Sequence, residues 1–247
     1  MVQINRRQAI GATLELIVVA SLGGCTSSGE IQLENLRKEI IGMGYEVAEL
    51  NEVQNPSGFV VLYGDLHTLF QSKPIELFQH LQTQGINLVC NEGYSGKYNG
   101  QDYRFEREVS RQGDAQIFGI DNNELFSLAD DFSEYNILIL NNLGNKPTID
   151  QEALEKRIME KIRKYDGTQV GVQKLREGYL ELDNKYVRDE RSVMFAKETL
   201  RVMRETGKNK AFMIYGSSHV DELVPELNKL GISVLLVKYK NINLRYK

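Results

Sequence analysis

The stretch FVVLY, residues 59–63, is a continuous apolar run that lies between Ser57-Gly58 and Gly64. A run of this length between turn residues is typical of a strand that is buried on both faces of a sheet. The sequence predicts further strands at residues 86–90, 116–120, 211–215 and 232–237.

Helices are predicted between these strands. Ser72 can cap a helix that Gly85 ends, and Ser218 can open another that Gly231 ends. Such strand, helix, strand units imply parallel pairing through right-handed crossovers. Residues 122–208 have a mostly helical pattern. The predicted fold is therefore α/β, with a mainly parallel central sheet, flanking helices and a helical insertion before the fourth strand.

The composition excludes several classes of protein. The chain has 247 residues, of which 41% are hydrophobic and 26% charged, as in ordinary globular domains. A formal net charge of -4 and the lack of a long basic run argue against a nucleic-acid partner. Two cysteines are too few for a disulfide scaffold or a thiolate zinc site. The three histidines, His67, His80 and His219, exclude any site that needs four imidazoles.

Residues 1–25 have the features of an export signal. A basic pair at residues 6–7 precedes an apolar stretch at residues 9–22, which leads through two glycines to Cys25. Small residues before a cysteine suit a lipoprotein signal peptidase, and the cysteine then carries acyl chains. We therefore expect a lipoprotein signal, a single domain over residues 26–247, and a protein anchored through Cys25 to a membrane surface of a bacterial cell envelope.

The export route has two interpretations. Residues 5–10 resemble the twin-arginine signal, although the hydroxyl residue before the pair and the bulky apolar residue after it are missing. Glu15 interrupts the apolar stretch. The alternative is an ordinary Sec signal. In the simplest version of that alternative, Cys25 is present by chance and carries no lipid.

The residues that follow the predicted strands are the place to seek chemistry, because sites in open parallel sheets form outside the carboxyl ends of the strands. Four strands lead into polar segments: Gly64-Asp65-Leu66-His67, Asn91-Glu92-Gly93, Asp121-Asn122 and Gly216-Ser217-Ser218-His219. His67 and His219 share a G-x-x-H setting, in which the glycine lets the backbone turn and direct the imidazole across the sheet edge. We expect His67, Glu92 and His219 to form one site.

Each of these residues also has a structural interpretation. A histidine after a strand is often a loop residue, Glu92 can be part of a surface ion pair, and Asp121 can cap the next helix. His80 differs from the other two histidines because it lies inside a predicted helix. It is expected to be a packed or surface side chain.

The order of these motifs resembles the superfamily that joins the TraB and pheromone-shutdown proteins, the Tiki proteases and the erythromycin esterases. Its members have two G-x-x-H motifs, a strand-end glutamate, and a helical R-N-x-x-M-A or R-D-x-x-M-A motif before the second G-x-x-H. Residues 190–196 are similar to that helix, with Arg191 at the arginine position. Ser192 replaces the Asn or Asp and Phe195 the Met, and Arg188-Asp189 offers a competing register. The resemblance extends over residues 59–237.

The resemblance implies a hydrolase of amide, peptide or ester bonds that acts on a peptide or a small molecule. Tiki proteins are described as metal-dependent peptidases, and a site of His67, Glu92 and His219, with Asp121 as a further ligand or supporting partner, suits a divalent transition metal such as Mn, Co or Zn. Erythromycin esterases are thought to activate water with a histidine. In that mechanism His67 is a general base oriented by Glu92, and Arg191 or His219 stabilises the oxyanion.

A different class of function also fits. The chain can be a lipoprotein that binds a ligand or partner, haem included, and that has kept the fold without turnover. Metallophosphoesterases are excluded because they need further histidines, and a nucleophile elbow is excluded because no G-x-S-x-G precedes a later histidine. Glycines and tyrosines at residues 93–103 predict a mobile aromatic loop over the site, which suits either class.

The lipoprotein interpretation predicts that Cys25→Ser changes how the protein partitions. The acyl anchor needs the cysteine, so the variant should either leave the membrane or remain as an uncleaved precursor. Detergent phase separation measures this, with the parent chain expected in the detergent phase. Equal partitioning of the two mature forms would refute the lipid anchor.

Overall fold

A computed structural model describes residues 28–65, 72–100, 104–111, 113–141, 150–216 and 220–239. Glu92, Asp121 and Arg191 are among them. Several features that the sequence singled out lie outside the described residues: the signal segment with Cys25, His67, and Ser218 with His219.

The described residues form a seven-stranded mixed sheet. Its strands are β1 (Tyr45–Asn51), β2 (Gly58–Asp65), β3 (Leu88–Asn91), β4 (Ser95–Lys97), β5 (Gln116–Ile120), β6 (Lys210–Gly216) and β7 (Ile232–Tyr239). Their spatial order is β1-β7-β2-β6-β3-β5-β4. β2 pairs in parallel with β6 and β7, β3 pairs in parallel with β5 and β6, and β4 is antiparallel to β5. The predicted α/β fold with a mainly parallel sheet is confirmed.

The centre of the sheet is buried, as the apolar runs predict. Val60, Val61, Leu62 and Tyr63 of β2 are fully buried. Consecutive residues of a strand point to opposite faces, so a strand without exposed positions must be covered on both.

The helices complete the α/β pattern. They are α1 (Ser28–Gly42), α2 (Ser72–Thr83), α3 (Arg104–Ser110), α4 (Asn123–Asn141), α5 (Gln151–Asp166), α6 (Val172–Asp183), α7 (Arg191–Thr206) and α8 (Val220–Lys229). The π-helical segment Asn184–Glu190 joins α6 to α7. The helices α4 to α7 are the predicted insertion before the fourth strand, which is β6. Within the described residues, none of these helices is long and apolar enough to cross a membrane.

The insertion has an apolar cluster of its own, built from α4, α5, α6 and the π-helical segment. Leu128, Phe132, Ile158 and Leu175 are among its buried members. Asp150 caps the start of α5 by accepting a hydrogen bond from Ala153 N at 3.1 Å. The insertion therefore does not rely on the sheet alone for its packing.

The chain falls into two compact units, Met1–Glu46 and Val47–Lys247. In the first unit, α1 buries Leu36 and Ile40. The second unit holds the candidate site. A single domain over residues 26–247 stays a prediction.

The structure adds elements that the apolar runs did not predict. β1 mixes polar and apolar residues, and α3 and β4 are short. Residues 95–97 of the expected mobile loop are β4, which pairs with β5. Gly119 of β5 permits this pairing because a Cβ there would collide with the backbone carbonyl of Tyr94.

Candidate functional site

A buried arginine joins two carboxylates at one edge of the sheet. Arg191 donates through Nε to Asp121 Oδ1 at 3.1 Å and through Nη2 to Asp121 Oδ2 at 2.6 Å. Nη2 also donates to Glu92 Oε1 at 3.1 Å. None of the three side chains is more than 10% exposed. We call Arg191, Glu92 and Asp121 the arginine triad.

The topology of the sheet places the triad. Glu92 directly follows β3 and Asp121 directly follows β5, and these strands pair in parallel. β6 pairs with the other side of β3 and ends at Gly216. The carboxyl ends of parallel strands meet at one edge, so both carboxylates and the end of β6 lie there. Arg191, the first residue of α7, completes the group.

Glu92 bridges the arginine and the end of β6. While Oε1 accepts from Arg191, Oε2 accepts a hydrogen bond from the backbone N–H of Gly216 at 2.8 Å. The carboxylate is thus held at the point where the chain leaves β6 for residues 217–219.

Asp121 does not cap the following helix. Its Oδ2 accepts from Gly93 N at 3.2 Å, and its own N–H donates to Tyr94 O at 2.9 Å. Asn122 is the residue that caps α4, because its Oδ1 accepts from the backbone N–H of Glu124 at 3.0 Å. The capping interpretation of Asp121 is therefore wrong, and its carboxylate serves the arginine triad.

Burial sets the electrostatics of the triad. It raises the pKa of Asp121, and the hydrogen bonds and charge of Arg191 oppose that rise. For Arg191, burial lowers the pKa, but the hydrogen bonds and charges of Asp121 and Glu92 raise it by more. The guanidinium stays positive and faces two carboxylates, so one negative charge of an ionised triad has no counter-charge within it.

The structure resolves the competing register of the arginine motif. Arg188 is 40% exposed and pairs with Glu222 at 3.0 Å on the surface of α8. Arg191 is the arginine that reaches the strand ends. The two residues that depart from the family motif pack beside it: the Ser192 hydroxyl lies 3.5 Å from Tyr215 OH, and the Phe195 and Tyr215 rings meet edge to face at 4.6 Å.

Two polar residues of this edge have no role in the site that the sequence predicts: Asn91, which is named there only as part of a polar strand end, and Glu106, which is not named. Asn91, the last residue of β3, donates through Nδ2 to Glu106 Oε1, and its Oδ1 accepts from Glu92 N at 2.9 Å. Glu106 is a buried residue of α3, and burial raises its pKa. No strand-end rule points to Glu106, because it lies inside a helix.

The histidines have different outcomes. His80 lies in α2 and is half-buried, in agreement with its predicted packed or surface position. His67 and His219 lie outside the described residues, but the strands that precede them are neighbours. In the register of β2 and β6, Asp65 lies opposite Gly216, so the chain enters residues 66–71 and 217–219 from adjacent positions.

The donors present suit a metal chemically, but the described part of the chain does not assemble a metal site. No three His, Cys, Asp or Glu side chains in that part are grouped to hold an ion. Glu92 and Asp121 are the members of the predicted set of His67, Glu92, His219 and Asp121 that it contains. The Glu92 carboxylate accepts hydrogen bonds from Arg191 and from the backbone N–H of Gly216. The ligand set therefore stays a prediction.

Comparison of the chain with family models, with curated proteins and with solved structures gave no match in any of the three. The resemblance to the TraB, Tiki and erythromycin esterase superfamily therefore rests on the motifs alone.

The triad predicts a large loss of stability for Arg191→Met. The substitution leaves Glu92 and Asp121 buried without their cation, which costs about 3–5 kcal/mol of unfolding free energy. Urea unfolding measures it. Arg201→Met is the matched control, because Arg201 lies on the same helix, is 46% exposed and pairs only with surface carboxylates. The loss of unfolding free energy in Arg201→Met should stay within about 0.5 kcal/mol.

The loss of unfolding free energy caused by Arg191→Met should also be smaller at acid pH. Burial raises the pKa of Asp121 above its unfolded value, and removal of the guanidinium raises it further. Such a carboxyl binds more protons in the folded state, so stability increases as pH falls through the folded-state pKa. We expect a smaller deficit at about pH 5 than at about pH 8. A deficit of equal size at both, or one matched by Arg201→Met, would contradict the buried triad.

Proposed function

We propose that the protein is a hydrolase of amide, peptide or ester bonds, exported and anchored by lipid at Cys25. The catalytic groups are His67, Glu92, His219 and Arg191. The substrate is a peptide or a small molecule. The membrane surface is the partner of the acylated N-terminus.

The observation that supports this proposal is the hydrogen bond from Gly216 N to Glu92 Oε2. It ties the strand-end glutamate to the first residue of one G-x-x-H motif. The other motif begins at Gly64 in β2. In the register of β2 and β6, Asp65 lies opposite Gly216, so the two motifs begin next to each other. Three strand ends that carry the family's motif residues therefore meet at one edge of the sheet.

The charge of the triad supports a cationic neighbour. Two carboxylates contact the one guanidinium of Arg191, so a positive charge that develops beside Glu92 would be stabilised there. This suits His67 as a general base that is oriented by Glu92, because a neutral imidazole becomes positive as it takes a proton from water.

Arg191 is suited to stabilise an oxyanion. Two carboxylates fix its guanidinium through Nε and Nη2, so little reorganisation is needed when a substrate oxygen becomes negative. The contacts with Asp121 and Glu92 use Nε and Nη2, and Nη1 is the group that we assign to a substrate oxygen. His219 is the alternative donor.

A divalent metal is an alternative source of positive charge beside Glu92. Mn, Co or Zn bound by His67, Glu92 and His219, with Asp121 as an outer partner, would supply Lewis-acid activation of water. Asp121 suits the outer position because Oδ2 accepts from both Arg191 and Gly93 while Oδ1 also accepts from Arg191.

The alternative function is a lipoprotein that binds a ligand, haem or a partner without turnover. The observation that favours it is that every carboxylate oxygen of Glu92 and Asp121 accepts a hydrogen bond within the described chain, as in an ion cluster that only stabilises a fold. Activity separates the two functions.

Turnover should depend on the histidines, while stability should not. We expect His67→Ala and His219→Ala to abolish cleavage of a panel of peptide and ester substrates, assayed with and without Mn²⁺, Co²⁺ and Zn²⁺, and to leave the thermal midpoint nearly unchanged. Glu92→Gln should lose activity as well, because the amide cannot orient an imidazolium by charge.

His80→Ala is the internal control and should be silent in both assays. A structural role for His67 and His219 gives the opposite pattern, a loss of about 1–3 kcal/mol of stability with no selective loss of activity. If no substrate turns over with any metal while haem or another ligand still binds, the protein is the binding lipoprotein.

A further inference from the structure

Glu106 is a buried acidic residue that does not belong to the arginine triad. It lies on α3 and is 1% exposed. Burying a carboxyl group is costly unless hydrogen bonds satisfy it. The hydrogen bond that satisfies Glu106 comes from Asn91 Nδ2, across the gap between α3 and the end of β3.

Asn91 connects Glu106 to the candidate site through two hydrogen bonds. Its side-chain amide has one donor end and one acceptor end. The donor end is held by Glu106, and the acceptor Oδ1 accepts from the backbone N–H of Glu92 at 2.9 Å. The hydrogen bond to Glu106 therefore fixes which way the amide of Asn91 faces, and so presents an acceptor to Glu92.

The backbone of Glu92 needs such support because β3 ends at Asn91. Beyond this residue the sheet ladder no longer holds the chain, yet the Glu92 carboxylate must reach both Arg191 and Gly216. A shift of the Glu92 backbone would lengthen both contacts together. We propose that Glu106, acting through Asn91, is a positioning residue for Glu92.

The inference rests on the proposed function only for its effect on activity. The hydrogen-bond relay from Glu106 to Asn91 and Glu92 makes a structural claim of its own, namely that removing the Glu106 acceptor disturbs the contact between Glu92 and Gly216. The experiment therefore needs a readout of that contact besides turnover.

The test compares Glu106→Ala with Glu106→Gln in the full chain without its signal segment. Gln keeps an acceptor oxygen for Asn91, whereas Ala removes it. The ¹H–¹⁵N resonances of the Gly216 amide and of Arg191 Nη2 report the two contacts of the Glu92 carboxylate. We expect both resonances to move in Glu106→Ala and to stay at their parent positions in Glu106→Gln. Assignment uses the parent chain, with Glu92→Gln as the reference for a disturbed contact.

The matched control is Glu108→Ala. Glu108 lies on the same short helix, but its side chain is 39% exposed and its partner is the surface residue Arg111. It should leave both resonances unchanged. If the protein proves to be a hydrolase, kcat/KM should fall about 10- to 100-fold in Glu106→Ala and recover in Glu106→Gln.

The outcomes separate this inference from the proposed function. Resonances that move as expected support the positioning role even if no substrate is ever cleaved. Resonances unmoved in a folded Glu106→Ala overturn it, whatever the activity. If Glu106→Ala does not fold, Asn91→Ala is measured in its place, since Asn91 is only half-buried. If neither variant folds, the pair is part of the core packing and the inference is wrong.

Discussion

The pairing of one buried guanidinium with two strand-end carboxylates is the interaction on which this edge of the protein depends. Arg191 lies at the start of a helix, whereas Glu92 and Asp121 follow two strands of the sheet. Each partner would be costly to bury alone, and together they join the helical insertion to the sheet. The Gly216 N–H extends the link to a third strand. The triad therefore holds together the ends of β3, β5 and β6, and one of the two G-x-x-H segments begins at the end of β6.

The same pairing constrains what the site can do. A guanidinium fixed by two carboxylates is not free to follow a substrate, but it is ready to meet an oxygen that becomes negative in a fixed place. Within the triad two carboxylates face one arginine, so the imidazole or metal cation that we propose next to Glu92 would be a further positive charge beside these carboxylates.

The fold was predictable because apolar runs between turn residues mark strands buried on both faces, and helical spacing between them implies parallel pairing. β1 and β4 were missed because one is half polar and the other has three residues. Glu92 and Asp121 were found because they follow strands. Arg191 came from the family resemblance alone, since no spacing rule connects it to residues about 70 and 99 positions away. Glu106 was missed because its contact with Asn91 depends on how α3 packs, which no local pattern encodes.

We propose that His67, Glu92 and His219 share one pocket. The most direct measurement is a crystal structure of the chain without its signal segment, grown with Mn²⁺, in which the distances between the two imidazoles and the Glu92 carboxylate are read. We expect all three groups to lie close enough to contact one ion or one water molecule. Because direct ligand bonds are about 2 Å long, imidazoles more than about 10 Å apart would contradict a shared site.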